Sequence, residues 1–209
     1  LCTSTAAGPA FEGGRIEMGM QARTGAISSV RVEDGQLQCR VIGGGRPRGL
    51  CGSGLVEAVA AGLELGLIET SGRLTGGASH MPLAGPVRLG QQDSRELQLA
   101  KGAIAAGQRI LQDRLGVAAG ELSRLALAGA FGNYVDVRSA RRVGLIHEPE
   151  DRVEPAGNTA LLGAKLALFG EGFSDLHFSD LRKRIECVSL AADPTFQRIF
   201  IEETLFPKP

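Results

Sequence analysis

A short apolar strand, predicted to be buried, that runs into a glycine-rich turn is the most informative chemical feature of this 209-residue sequence. Leu125-Ala126-Leu127-Ala128 is followed directly by Gly129-Ala130-Phe131-Gly132-Asn133. Because glycine has no Cβ, the backbone of such a turn can approach a bound molecule where another side chain would collide. Nucleotides are bound by close approach of this kind, so we predict nucleotide contacts at Gly129, Ala130, Phe131, Gly132 and Asn133.

A second small-residue turn, Gly157-Asn158-Thr159, opens a helix predicted over 159–169. The free amides at the start of a helix attract negative charge, so Gly157 and Asn158 are further candidates for nucleotide contact. The alternative is that both turns only terminate a strand and start a helix. Spacing alone does not decide between these two interpretations.

The run Gly49-Leu50-Cys51-Gly52-Ser53-Gly54 leads into apolar residues at helical spacing, so a helix is predicted to start near Ser53. Gly52, Ser53 and Gly54 could bind an anion there, with Ser53 as the N-cap. The run lacks the Lys-Ser/Thr ending of a P-loop. Tight packing of the helix explains the glycines equally well.

Thr3, Ser4 and Thr5 form a hydroxyl cluster in a loop rich in glycine and proline near the start of the chain. Their oxygens could bind a ligand or a partner. Capping of a turn is the alternative, and composition alone favours it.

Neither a metal site nor a set of catalytic side chains is predicted. The three histidines are isolated, and the cysteines form no C-x-x-C pair; they are Cys2, Cys39, Cys51 and Cys187. No acid pair and no Ser-His-Asp set emerges, which argues against hydrolytic chemistry of the chain's own. The scattered thiols are typical of reduced cysteines, and we expect a cytoplasmic protein.

The composition is that of an ordinary globular domain, with 43% hydrophobic and 22% charged residues. Lys plus Arg equals Asp plus Glu at 23 each, so no net charge attracts nucleic acid or an anionic membrane. The most apolar stretch, 55–68, contains two glutamates and is too short to cross a bilayer. Because the chain opens on Leu1 without a leading strand, we expect a fragment that forms one domain.

The remaining pattern predicts a mixed α/β fold. Alternating residues around an Asp-Gly turn predict a β-hairpin over 25–42, and 69–89 is an excursion with short strands. Asp93 or Ser94 should cap a long helix that ends at Gly116. Further helices are expected at 137–143 and 195–203, and a strand at 186–190.

Five ordered motifs together resemble the C-terminal region of the corrinoid-activating iron-sulfur proteins. They are Ser4-Thr5-Ala6-Ala7-Gly8-Pro9-Ala10-Phe11-Glu12-Gly13, Gly49-Leu50-Cys51-Gly52-Ser53-Gly54-Leu55, Arg95-Glu96-Leu97-Gln98-Leu99-Ala100-Lys101, Ala128-Gly129-Ala130-Phe131-Gly132-Asn133-Tyr134 and Glu154-Pro155-Ala156-Gly157-Asn158. The resemblance extends from Cys2 to about Pro207, nearly the whole chain.

This resemblance implies the second half of a ribonuclease-H-like domain of the actin, Hsp70 and sugar-kinase (ASKHA) superfamily, a mixed sheet flanked by helices. Such proteins use ATP to drive electron transfer onto an inactive Co(II) corrinoid and return it to Co(I). The family's Asp-x-Gly-Thr loops, which hold Mg²⁺ and the phosphates, are absent from this sequence, as is its N-terminal [2Fe-2S] domain. The fragment alone is therefore expected to be inactive.

The resemblance also implies residue roles. The turn after Leu125–Ala128 would be the adenosine motif, with Glu96 and Lys101 flanking the adenine or ribose. We hypothesise that the loop 2–8 faces a corrinoid protein of a methyltransferase system and that the Ser4 hydroxyl approaches cobalt. The alternatives are a small-molecule kinase of the same superfamily and a non-catalytic docking module; a homodimer is an open option.

Overall fold

The computed structural model describes residues 1–118, 120–169 and 175–208 of the chain. Within these ranges the fold is mixed α/β, as predicted. Across the same residues, no helix combines the length and apolarity that a membrane span requires.

Helices and strands alternate along most of the chain. The strands are β1 (Ala26–Glu33), β2 (Gln36–Val41), β3 (Gly49–Leu50), β4 (His80–Ala84), β5 (Val87–Gly90), β6 (Leu125–Ala128) and β7 (Val153–Gly157). The helices are α1 (Gly52–Glu64), α2 (Gln91–Leu115), α3 (Gly129–Tyr134), α4 (Val137–Arg142), α5 (Thr159–Phe169), α6 (Asp175–Arg184) and α7 (Phe196–Thr204).

The predicted hairpin is confirmed and forms a three-stranded sheet in the order β2-β1-β3. Asp34 and Gly35 turn it with φ angles of 51° and 73°, left-handed values that an Asp-Gly pair adopts readily. Strand β3 pairs parallel to β1 and leads straight into α1. The hairpin therefore determines where α1 begins.

The core lies around α1 and α2. Every residue of α1 from Gly52 to Leu63 is buried, and the helix packs on β1 and α4. Helix α2 ends at Gly116, whose φ of 65° is left-handed, so the predicted end is confirmed. Asp93 caps its start, because Asp93 Oδ2 accepts the amide of Gly90 at 2.7 Å. Helix α7 lies within one residue of its predicted range and packs along α2.

The predicted strand β6 is confirmed, but the prediction that it is buried was wrong. Leu125 and Leu127 are half-buried, and Ala126 and Ala128 are exposed. The physical reason is that β6 and β7 form a sheet of only two strands among the described residues. Helix α5, which follows β7, has no buried residue.

Two further segments differ from the sequence prediction. Instead of a strand at 186–190, the structure has one parallel bridge between Cys2 and Cys187 and a 3₁₀ turn at Leu190–Ala192. Helix α6 was not predicted. The excursion at 69–89 is confirmed as one that contains short strands, the antiparallel pair β4 and β5.

Candidate nucleotide site

The two glycine turns singled out in the sequence meet at one edge of the β6–β7 sheet. The strands run parallel, and Ala128 pairs with Gly157 after a register shift between Leu127 and Ala128. Gly129 and Gly157 both take left-handed φ angles, 86° and 68°. Helix α3 begins at Gly129 and α5 at Thr159, so both helices start at this edge. The carboxyl edge of parallel strands, where helices begin, is where α/β folds bind ligands.

The space beside both glycines is open. A Cβ built on Gly129 or on Gly157 would meet no described atom within 4 Å. Ala130 and Asn133 are exposed, whereas Gly132 packs against Leu127, 3.1 Å from its hypothetical Cβ. Bare backbone at Gly129 and Gly157 can therefore lie directly against a ligand.

Asn158 starts α5 with its own side chain. Its Oδ1 accepts a hydrogen bond from the amide of Leu161 at 3.0 Å, as an N-cap residue does. The Asn158 side-chain oxygen is thus engaged with the helix, and the backbone of the turn is the part that faces outward for a ligand.

The side chain of Phe131 packs on a residue of another motif. Its ring lies 4.5 Å, centroid to centroid, from the ring of Phe11 at an interplanar angle of 34°. Aromatic pairs favour such tilted arrangements. Phe11 belongs to the segment that follows the hydroxyl cluster, so this contact joins α3 to the start of the chain.

The helix start at Gly52, Ser53 and Gly54 is closed by the protein's own backbone. A Cβ on Gly52 would lie 2.0 Å from the carbonyl oxygen of Phe11, and one on Gly54 would lie 2.1 Å from that of Ile27. The Ser53 hydroxyl donates to the carbonyl of Ser28 at 2.9 Å, and the N-cap position is Cys51. These glycines therefore serve close packing, in place of the anion binding and Ser53 cap considered from the sequence.

The side chains of Thr3, Ser4 and Thr5 have different surroundings. The Thr3 hydroxyl donates to the Val188 carbonyl at 2.7 Å, and the Thr5 methyl group lies 2.7 Å from a Cβ built on Gly107 of α2. Ser4 is exposed, and its hydroxyl makes no hydrogen bond to the described residues. The Thr5 hydroxyl likewise makes no hydrogen bond to the described residues, but Ser4 is the exposed member of the three, so its hydroxyl is the most accessible to a partner.

Comparison with known proteins identifies the family. All 209 residues match the family described as the C-terminal ASKHA domain of RACo. The chain belongs to this family. The match confirms the fold class expected from the sequence.

Two curated relatives and one solved structure are similar to this ASKHA domain over nearly its whole length. A corrinoid activation enzyme of Eubacterium limosum is 35% identical over 97% of the chain and 39% of its own length. A Co(II) methylated amine-specific corrinoid protein reductase of Methanosarcina barkeri is 31% identical over 97% of the chain and 42% of its own length. A solved reductive activator for corrinoid, iron-sulfur protein superposes with a TM-score of 0.85 at 26% identity, over 98% of the chain and 36% of that structure. The domain thus spans about two fifths of these proteins.

The structure does not bring Lys101 of the ASKHA domain to the glycine turns. Lys101 is 1% exposed, and its ammonium donates to the carbonyl of Leu205 at 2.5 Å and lies 5.7 Å from the centre of the Phe206 ring. Lys101 therefore holds the C-terminal segment against α2. Glu96, one turn earlier, is half-exposed and accepts a hydrogen bond from Gln92 at 3.0 Å; its nucleotide contact stays a prediction.

Burial lowers the pKa of Lys101 to about 8, a fall that the charge of Glu203 partly opposes. Between about pH 8 and the ordinary 10.5, the unfolded chain therefore holds a proton that the folded ASKHA domain has released. The free energy of unfolding should accordingly rise with pH across this window, by up to about 3 kcal/mol. Urea unfolding at the two ends of the window measures the change.

The Lys101→Met variant is expected to lose most of this dependence on pH, because it has no amine to titrate. Lys165→Met, at an exposed position of α5, should keep it. Equal pH slopes in wild type and Lys101→Met would show that the buried amine is not the cause.

A large cavity lined by described residues lies elsewhere in the ASKHA domain, between β1, α1 and α4. Its volume is about 740 Å³, and its charged lining residues include Arg31, Glu57, Asp136 and Arg142. Burial raises the pKa of Glu57, against hydrogen bonds from the Ser29 hydroxyl and the Val30 amide that lower it. The charged residues that line this cavity are of both signs.

Sequence reasoning missed two contacts that the fold creates. One is the Phe11–Phe131 pair, although both residues stand in the motifs that carry the resemblance. The other is the approach of Cys2 to Cys187, whose sulfur atoms are 3.2 Å apart across a separation of 185 positions. No local pattern could have revealed either pairing.

Proposed function

We propose that this domain forms the nucleoside side of the ATP site in a longer reductive activator, which returns Co(II) corrinoid proteins to Co(I). The family and the activities for which the two relatives are named support this function. Because the chain spans only 39% and 42% of those relatives, activity belongs in this proposal to the longer polypeptide. We further propose a corrinoid protein of a methyltransferase system as the partner and the cytoplasm as the location.

The observation that carries the proposal is the meeting of two open glycine turns at the edge of β6 and β7. Gly129 and Gly157 leave space where a Cβ would stand, and α5 begins beside them, where the amides of Thr159 and Ala160 precede the amide of Leu161 that Asn158 caps. These features fit the nucleoside half of ATP. Mg²⁺ and the phosphates would be held by Asp-x-Gly-Thr loops, and the [2Fe-2S] cluster by a further domain, both outside these 209 residues.

The Phe11–Phe131 contact could transmit a conformational change from the nucleotide site to the start of the chain. Helix α3 begins at Gly129 and carries Phe131, whose ring rests on Phe11. A shift of α3 when the nucleotide site closes would move both rings and the segment that contains Phe11. ATP binding and hydrolysis supply the free energy that favours one conformation of the complex over another.

The loop at residues 2–8 is the surface proposed to meet the corrinoid. Thr3 is bonded to the Val188 carbonyl, the Thr5 methyl group lies beside Gly107 of α2, and the exposed Ser4 between them has no hydrogen bond to the described residues. Anchored neighbours hold the Ser4 hydroxyl in a defined place at little further entropic cost. Its oxygen would approach cobalt as a weak ligand while the corrinoid is reduced.

Ser4→Ala in the longer protein should slow Co(I) formation about tenfold, the effect of losing one weak contact of about 1.4 kcal/mol. Nucleotide affinity should be unchanged, because Ser4 has no part in the glycine turns. The rate is followed by the absorbance change of the corrinoid. Ser179→Ala, at an exposed position of α6, is the control; an unaltered rate in Ser4→Ala would remove Ser4 from the site.

A small-molecule kinase is the second candidate. It would need a catalytic carboxylate that is available to the substrate, and the hydrogen bonds of the candidate acids argue against one. The Asp93 carboxylate accepts hydrogen bonds from the backbone amides of Gly90 and Glu17. The Asp136 carboxylate accepts one from the amide of Ser139, and Glu96 accepts one from the side chain of Gln92. All three acids that the sequence offered for that role are thus engaged in local hydrogen bonds.

Titration of the longer protein with ATP, with and without a Co(II) corrinoid protein, tests the proposal against both alternatives. An activator should bind ATP with an affinity that changes when the corrinoid protein is added. A kinase should bind ATP without regard to the corrinoid protein. A docking module should bind the corrinoid protein and no ATP; either of these last two results contradicts the proposed function.

A further inference from the structure

Cys2 and Cys187 lie side by side although they stand near opposite ends of the chain. Their Sγ atoms are 3.2 Å apart and share a hydrogen bond. Both are free thiols, Cys2 half-buried and Cys187 exposed. Of the other two cysteines, Cys51 is buried and donates to the carbonyl of Ile27 at 3.4 Å, and Cys39 is half-buried on β2.

The backbone fixes this pair independently of the side chains. Cys2 and Cys187 form a parallel β-bridge, in which the Cys2 amide donates to Glu186 and the Val188 amide donates to the Cys2 carbonyl, each at 2.8 Å. Neighbouring strands lie about 4.8 Å apart. That spacing is within the range of about 4.4–6.8 Å that disulfides require between Cα atoms. Rotation of the two side chains is therefore enough to bring the sulfur atoms into a bond.

We propose that Cys2 and Cys187 constitute a dithiol redox site that closes to a disulfide by exchange with small-molecule disulfides. The exposed Cys187 meets the incoming disulfide first. Its thiolate attacks one sulfur of the oxidant, forms a mixed disulfide and expels one thiolate. Cys2 then loses its proton to solvent and attacks Cys187 Sγ, and the second thiolate leaves. In total, two protein thiols are oxidised and one disulfide is reduced to two thiols.

The hydrogen bond between the two thiols supports the same order of events. The hydrogen bond with Cys187 raises the pKa of the Cys2 thiol above its ordinary value, so Cys2 keeps its proton and can donate it to a Cys187 thiolate. The attacking thiol is thus the exposed one, and the resolving thiol is protonated until the mixed disulfide forms. If the proposed function holds, the disulfide would lie directly before the Thr3–Thr5 loop and would clamp it to the segment around Val188.

Oxidised glutathione is the probe, applied to the 209-residue chain. After treatment and acid quenching, the denatured chain should show two free thiols in place of the four in the sequence, and digestion should yield one cross-linked peptide containing Cys2 and Cys187. Closing a loop of this length should raise the Tm by at least about 5 °C. Amide exchange of residues 2–5 should slow, and dithiothreitol should reverse all of these changes.

Two variants separate the pair from the other thiols. Cys39→Ser should still lose two thiols, because it keeps both members of the pair. Cys187→Ser should form no internal disulfide and show no rise in Tm. The proposal is overturned if glutathione leaves all four thiols free, if it remains attached to Cys187 without resolution, or if the cross-linked peptide contains Cys39 or Cys51. None of these results measures nucleotide binding. Failure of the disulfide proposal would therefore leave the proposed function untouched.

Discussion

The Gly129→Val substitution should weaken ATP binding by the longer protein at least about 100-fold, which corresponds to about 2.7 kcal/mol. Two effects combine. A φ of 86° is unfavourable for a β-branched residue, and the valine side chain would occupy the open space in which the nucleoside is proposed to lie. Calorimetric titration measures the affinity, and circular dichroism establishes that the variant is folded.

Gly66→Val provides the matched control for Gly129→Val. Gly66 follows α1, has a φ of 68°, and a Cβ there would likewise meet no described atom within 4 Å. The control therefore carries similar backbone strain at a position far from the turn in sequence. Comparable ATP affinities in the two variants would refute the placement of the nucleoside beside Gly129.

The Gly52→Ala substitution is expected to destabilise the fold by about 3 kcal/mol or more, the upper part of the range for overpacked cores. The added methyl group would lie 2.0 Å from the Phe11 carbonyl oxygen, a backbone atom that cannot rotate away. The Tm should fall by roughly 6–12 °C for a chain of this size. Differential scanning calorimetry measures the shift.

Gly163→Ala on α5 is the corresponding control, since a Cβ there meets no described atom within 4 Å. Alanine at that helical position should stabilise the protein by up to about 1 kcal/mol. If Gly52→Ala were tolerated as well as Gly163→Ala, the helix start at Gly52 would not be closed by the Phe11 carbonyl.

The sequence was sufficient to predict local structure wherever one short pattern determines it. The Asp34-Gly35 turn specified the hairpin, because few other residue pairs adopt two successive left-handed conformations. Gly116 marked the end of α2 for the same reason. Residues in contact along a helix or across a tight turn are close in sequence, so their pattern predicts their geometry.

Where structure depends on distant partners, the sequence was ambiguous or misleading. A glycine is needed both where a ligand approaches and where the protein's own backbone approaches, so Gly52 and Gly129 looked alike although one is closed and the other open. The family resemblance implied a nucleotide contact for Lys101, and a lysine is rarely buried. Only the fold shows that the C-terminal segment covers it.

The weak support of the β6–β7 sheet has a consequence for any affinity measured on these 209 residues alone. Leu125 and Leu127 are half-buried, and α5 contributes no buried residue, so the turn at Gly129 stands on a weakly packed sheet. Part of the binding free energy must then go into ordering this region, and the apparent Kd rises as the competent fraction falls. The difference in Kd between the isolated domain and the longer protein would measure how far the missing parts hold the nucleoside site in its binding geometry.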